Sequence, residues 1–298
     1  MLEPKSTGQT IKEIRKNKKI RQNTFPGVSK STLANIESEE RMPSVQKYNQ
    51  ILSRLDITIH EFEYIRHNFG LSRRQQLIKS FIEHKHSLYA ERTQSLAQDM
   101  DTYLETNPDD QVIKDYRTVL DVYKKINESQ TYEINSPGTA EIWDRIEDQK
   151  IWYYYDIDLM ARIFYVFPLS TSEKMIQKIV EQIEKYNDFT NTMDLKQAFL
   201  LNSAKYLIHH EKYKEAKPLI LQAKKLTEEQ ESVCLSLYAS ASLAAIQLTE
   251  KKLSLEQGEL EIDRICNLFI ALDRKIFADD VRRDWNEFLK TYFASDKS

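Results

Sequence analysis

The chain has 298 residues, 41% of them hydrophobic, and a formal net charge of −3 at pH 7, enough to build one large or two smaller cored domains. With only 5 Gly and 7 Pro it is poor in turn punctuation, and its abundant Leu, Glu, Lys and Gln point to an all-α protein. No run of 18 apolar residues occurs and the N-terminus is polar and basic, so neither a membrane span nor a secretory signal is expected.

The basic charge is concentrated early. Residues 9–30 carry Lys12, Arg15, Lys16, Lys18, Lys19, Arg21 and Lys30 against Glu13 alone, whereas the chain beyond residue 70 is net acidic. Such a block is either a solvated helix face or a surface that attracts a polyanion. Ile11 and Ile14 define a first helix of about three turns. Pro26 and Gly27 end any helix begun at Gln22, and Ser29 is a good N-cap for the next, which carries Leu33 and Ile36 to about Ser38. Ser44 caps another, with apolar positions at Val45, Tyr48, Ile51, Leu52 and Leu55, and "ITIHEFEYI" gives a further one.

Short helices joined by short loops, one of them polar beside a basic block, form a helix-turn-helix pattern. A recognition helix keeps one narrow apolar edge, here Leu33 and Ile36, to dock on its own domain. Lys30, Ser31, Thr32 and Asn35 are then placed to reach phosphates or base edges. This unit is expected over residues 1–66, followed by a linker at 67–75 around Gly70.

From about residue 72 to 294 the sequence reads as a string of amphipathic helices, with residues 76–298 as the second domain and helix spans near 72–86, 88–105, 109–127, 139–149, 152–167, 172–187, 192–211, 213–227, 232–250, 256–272 and 276–293. In "AFLLNSAKYLIHHEKYKEAKPLILQAKKL" two helices flank a short polar turn, with a small Ala where they approach, as in a degenerate tetratricopeptide repeat. A TPR-like helical repeat domain is therefore expected. The terminal helices keep Leu268, Ile270, Leu272, Phe277, Trp285, Phe288, Leu289 and Phe293 at the end of this row. They are read either as an ordinary cap or as a face covered by a partner subunit.

The sequence offers no constellation for catalysis, metal or cofactor. His84 and His86 point to different faces of a helix, His209 and His210 are adjacent, and no glycine-rich phosphate loop is present. Cys234 and Cys266 are expected to be free thiols in a reducing cytoplasm. One helix stands out: "IWYYYDIDLMARIFYVF" sets Asp158 and Arg162 among many aromatics. The two charges should pair with each other or line a cavity for a charged ligand.

"IKEIRKNKKI", "VSKSTLANIESEERMPSVQKYNQIL", "LDITIHEF", "IWYYYDIDLM" and Asn202 in "LLNSAKYLI" together resemble the Rgg (MutR or GadR) family of transcriptional regulators. The resemblance spans essentially the whole chain. It implies a cytoplasmic homodimer that binds double-stranded promoter DNA through its N-terminal domain and senses a short signalling peptide with its repeat domain, without a membrane association. The DNA contacts it implies are Arg15, Arg21, Gln22, Ser29, Lys30, Ser31, Thr32 and Asn35. For the peptide, Asn202 would hold backbone, and Arg162 a carboxylate. Tyr154, Asp158, Tyr165, Lys205, Tyr206 and Tyr238 would complete that set.

The sequence departs from the family in its shortened second helix, in Glu39 where a glycine is usual, and in Arg162 where an Asn is frequent. A different reading, a helical-repeat interaction module whose basic domain binds DNA weakly or not at all, rests on the first two departures.

Overall fold

The computed structural model describes residues 3–84, 89–129, 134–189 and 192–295. Among them the chain is all-helical, with fifteen α-helices and no strand. It divides into two compact units: Met1–Lys85 with Gln98–Ile113, and His86–Ala97 with Lys114–Ser298.

The first unit begins with α1 (Thr7–Asn17), which Ser6 caps by accepting from the Gln9 amide. A single 3-10 turn at Gln22–Thr24 stands where a second helix would, in line with the shortening seen in the sequence. Next come α2 (Lys30–Glu37), α3 (Val45–Arg54) and α4 (Ile59–Arg66), capped by Ser29, Ser44 and Thr58. Each cap hydroxyl accepts one amide proton that the first helical turn cannot satisfy internally.

Ile11, Ile14, Leu33, Ile36, Ile51, Leu52, Leu55 and Phe62 form the core of this helix-turn-helix. Full burial of Leu33 and Ile36 contributes roughly 1.5–3 kcal/mol each, which lets an otherwise polar α2 hold its place. The close approach of α1 to α2 requires Gly8, because a Cβ there would run into the Ile36 carbonyl.

α5 (Arg73–Glu83) opens with a Ser72–Gln75 capping box. It is tied to residues 98–113 by Arg73–Asp99 at 2.5 Å and Arg74–Asp110 at 2.6 Å. These pairs help to group α5 with the first compact unit, and α5 begins at Arg73, inside the linker expected over 67–75. The stretches α6 (Ala90–Thr106) and α7 (Gln111–Ser129) pass from one unit to the other.

The second unit continues with α8 (Pro137–Ile146), α9 (Tyr154–Ile163), α10 (Leu169–Ile183), α11 (Thr192–His209), α12 (Tyr213–Glu229), α13 (Val233–Thr249), α14 (Leu255–Ala271) and α15 (Lys275–Ser295). Successive helices pack as hairpins, and α9, α11, α13 and α15 also pack side by side as an inner row. Ala216, Ala223 and Ala239 are fully buried and let neighbouring axes approach, as the TPR-like reading requires. The turns after α11 to α14 place Glu211, Glu231, Lys251 and Asp273 at φ of 58°, 53°, 57° and 56°. In this glycine-poor chain, charged residues take the left-handed position that usually falls to Gly.

One expectation is corrected. Residues 152–167 do not form one helix: α9 ends at Ile163, a 3-10 turn spans Phe164–Val166, and Pro168 starts α10. The Ser172 hydroxyl lies 2.7 Å from the Phe164 carbonyl and 3.0 Å from that of Phe167, which gives the broken end its hydrogen bonds. At the far end Phe277, Trp285 and Phe288 turn inward and are buried, leaving Leu268, Ile270, Leu272 and Phe293 exposed.

Candidate functional site

The exposed part of α2 is polar. Lys30, Ser31 and Asn35 face solvent and Thr32 is half-buried, while Leu33, Ile36 and Glu37 are buried. Ser29 caps the helix by accepting from the Thr32 amide at 3.1 Å, and its hydroxyl also meets those of Ser31 and Thr32. Ser29 is therefore occupied with starting the helix.

Beside α2 lies a concavity of about 470 Å³ lined by Lys12, Arg15, Arg21, Gln22, Lys30 and Glu37, among others. Glu37 organises it. Arg15 donates through Nε at 2.5 Å and Nη2 at 2.7 Å, and Gln22 donates through Nε2 at 2.9 Å. The third Arg15 nitrogen donates to the Ile20 carbonyl at 3.0 Å, and the Glu37 hydrogen bond raises the pKa of the guanidinium. Arg15, expected among the DNA contacts, thus turns its guanidinium onto Glu37. With Glu37 neutralised in this way, Lys12, Arg21 and Lys30 leave the concavity with a positive excess.

Glu37 did not stand out in the sequence, although one signal was there. It follows Leu33 by four residues and so falls on the docking edge of the helix. Glu39 does adopt the left-handed conformation, at φ 67°, and its carboxylate accepts from the Ser6 hydroxyl. The Arg41 amide then closes the helix end onto the Asn35 carbonyl at 3.1 Å. The recognition helix therefore ends in the glycine-type geometry without a glycine.

In the second unit the expected ligand residues separate into three groups. Arg162 donates through Nε and Nη2 to a single oxygen of Asp158, Oδ1, at 3.0 Å, and is also hydrogen-bonded with Tyr123. Burial works against the charge of this guanidinium, but Asp158 and Tyr123 outweigh it and raise its pKa. Of the two readings of this pair, the structure supports mutual pairing.

Tyr154 packs against Tyr186 and Phe189, and Tyr165 packs edge-on to Phe164. Asn202 is exposed on α11. Tyr206, in contrast, is 2% exposed, packs on Phe164 and donates to Ser172 Oγ at 3.3 Å. It is a core residue, which corrects its expected place in a groove.

Lys205 and Tyr238 meet partners on α15 that sequence reasoning missed. Lys205 pairs with Asp284 at 2.6 Å, and the Tyr238 hydroxyl donates to Asp280 at 3.1 Å. Asp280 also pairs with Arg283. The signal lay in "ADDVRRDW", where Asp280 and Asp284 are one turn apart and share a helix face.

Cys234 and Cys266 are free and half-buried. Among the described residues no group of His, Cys, Asp and Glu could hold a metal ion, and no helix is long and apolar enough to cross a membrane. His86 lies outside the described residues.

The two units define a class, a helix-turn-helix protein with a TPR-like repeat domain. Residues 72–283 match the family model of the HTH-type transcriptional regulator Rgg, C-terminal domain, and the chain belongs to this family of transcriptional regulators. A protein of Listeria monocytogenes EGD-e, described as a transcriptional regulator, has a similar structure. The TM-score is 0.71 at 18% identity, over 96% of this chain and 97% of that one.

The SHP pheromone receptor Rgg2 of Streptococcus dysgalactiae gives a TM-score of 0.64 at 15% identity, over 95% and 99% of the two chains. ComR of S. thermophilus, solved with DNA and its signalling peptide ComS, gives 0.64 at 16% identity over 95% and 99%. At these identities the likeness is one of fold. No curated protein matches the sequence.

Proposed function

We propose that this Rgg-family protein is a cytoplasmic homodimer that binds double-stranded promoter DNA through α2 and is controlled by a short signalling peptide held on its repeat domain. The observation that carries the DNA half is the polar face of α2, Lys30, Ser31 and Asn35, exposed beside a concavity with excess positive charge. Phosphate contacts then fall to Lys12, Arg21 and Lys30, and base reading to Ser31, Thr32 and Asn35. Arg15 and Gln22 act through Glu37 as positioning residues. Residues 1–66 are the DNA-binding part, 67–75 the connection and 76–298 the peptide-binding and dimerising part.

For the peptide, the inner row of helices supplies side chains at regular intervals, as an extended ligand needs. Asn202 presents an exposed amide for the peptide backbone, with Lys205 further along the same α11 and with Tyr238 and the Asp158–Arg162 pair on adjoining helices. The reading supports regulation and not catalysis. Its test is anisotropy on the duplex upstream of the protein's own gene, with and without synthetic candidate peptides made from any short secreted reading frame beside that gene. Binding to that duplex in preference to scrambled DNA, changed by the peptide, is expected. Equal binding to both duplexes with no effect of peptide would overturn the proposal.

A further inference from the structure

The start of α9, the 3-10 turn Glu184–Tyr186 that follows α10 and the approach to α11 bring three aromatic rings together. Tyr154 lies 5.0 Å from Phe189 and 5.8 Å from Tyr186, and Tyr186 lies 5.7 Å from Phe189, between ring centroids. The planes are inclined at 57° to 74° and no pair is stacked. Phe189 is 53% exposed, and the two tyrosines are half-buried.

One helical turn beyond Tyr154 lies Asp158, with its side chain only 7% exposed. Arg162 donates through Nε and Nη2 to Oδ1, and among the described residues Asp158 Oδ2 is buried without a hydrogen-bond partner. A buried carboxylate oxygen without a donor is unfavourable, and a donor supplied from outside would relieve it. The Tyr154 pKa is raised first by burial, then by Asp158, with Arg162 opposing and Asp194 adding to the rise.

We propose that this corner is a cation subsite of the peptide groove, in which a positively charged group of the bound peptide rests on Tyr154, Tyr186 and Phe189 and donates to Oδ2 of Asp158. The proposal rests on the peptide-sensing reading and specifies the chemistry of its ligand. An anionic group would meet Asp158 and Asp194, and an apolar one would leave Oδ2 without a donor. A cation satisfies the ring faces and the carboxylate together. The same chain already uses such a contact internally, with Lys178 Nζ 4.3 Å from the centroid of a Trp152 ring.

The test is affinity selection from a randomised heptapeptide library by the full-length protein, with one arm acetylated at the N-terminus and one free. Mass spectrometry identifies the peptides retained by wild type, Tyr154→Leu and Phe189→Leu. Wild type should enrich Lys or Arg at one position, or the free over the acetylated terminus, by roughly tenfold. That enrichment should fall to background in both variants while preferences at other positions persist. Phe189 is half-open to solvent, so its variant keeps the test decisive if Tyr154→Leu fails to fold.

Retained peptides with no cationic preference, or a preference unchanged by the variants, would overturn the subsite and leave peptide sensing standing. No retained peptide at all would overturn peptide sensing, and the subsite with it.

Discussion

Arg15 on α1 and Glu37 at the end of α2 form a two-pronged ion pair, at 2.5 and 2.7 Å, whose side chains are 12% and 3% exposed. The pair fixes the recognition helix to the first helix and cancels a carboxylate that would otherwise repel phosphate. Arg15→Ala should therefore destabilise the protein by about 3 kcal/mol, because it strands a buried charge. Arg15→Met combined with Glu37→Leu should recover most of that loss. Urea unfolding checks both. A folded Arg15→Ala protein with wild-type stability would show that the pair is idle.

The left-handed turn residues give a prediction of opposite sign. Lys251 is exposed and sits at φ 57°, a conformation costing an L-residue about 1–2 kcal/mol. Glycine removes that strain but gives the unfolded chain about 0.4–1 kcal/mol of extra freedom. Lys251→Gly should raise stability by about 0.5 kcal/mol, and Lys251→Val should lower it by more than 1 kcal/mol, on the order of the strain itself. Thermal melts of the two variants should move in opposite directions.

Asp284 supplies a pH dependence. Burial pushes its carboxyl up to about 6, with Lys205 opposing and Asp280 reinforcing. Its folded pKa is thus above its unfolded value, so between pH 6 and about 4 the folded state binds a proton that the unfolded state does not. The Asp284 contribution to stability should therefore rise as pH falls through that window. Asp284→Asn should abolish this contribution. Denaturant melts at pH 7, 6, 5 and 4 on both proteins test the sign, and an identical pH profile for the two would contradict it.

How much of this was legible in advance depended on range. The caps at Ser29 and Ser44 and the docking edge of Leu33 and Ile36 are local, and their spacing alone placed the helix-turn-helix. The Asp158–Arg162 pair is one turn long and was legible for the same reason. The pairing of Arg15 was not legible because its partner lies 22 residues away. Tyr206 was misplaced because its burial depends on Phe164 and Ser172, elements that the sequence does not bring together. Asp280 and Asp284 matter only because the repeat row sets α15 against α11 and α13. The break after Ile163 depends on Ser172 reaching back to two carbonyls, and no helical periodicity reports that.

Assembly can be tested on α14 and its C-cap, where Leu260, Leu268 and Leu272 are 63%, 40% and 48% exposed. Removing 276–298 would instead strip Phe277, Trp285 and Phe288 from the core and unfold the domain. Leu260→Glu with Leu268→Glu should convert the dimer to a monomer and leave the melting temperature within a few degrees. Light scattering at micromolar concentration reads the mass. An intact wild-type monomer under those conditions would contradict the dimer.

The central claim is that α2 reads DNA, with different residues serving bases and phosphates. Its most direct test is anisotropy on cognate and scrambled duplexes over a salt series, with wild type, Asn35→Ala and Lys30→Ala. The account predicts that Asn35→Ala loses about 1–3 kcal/mol on cognate DNA only, with an unchanged salt slope. Lys30→Ala should weaken both duplexes alike and flatten the slope by about one. Wild-type affinity and slope in both variants, on both duplexes, would contradict it.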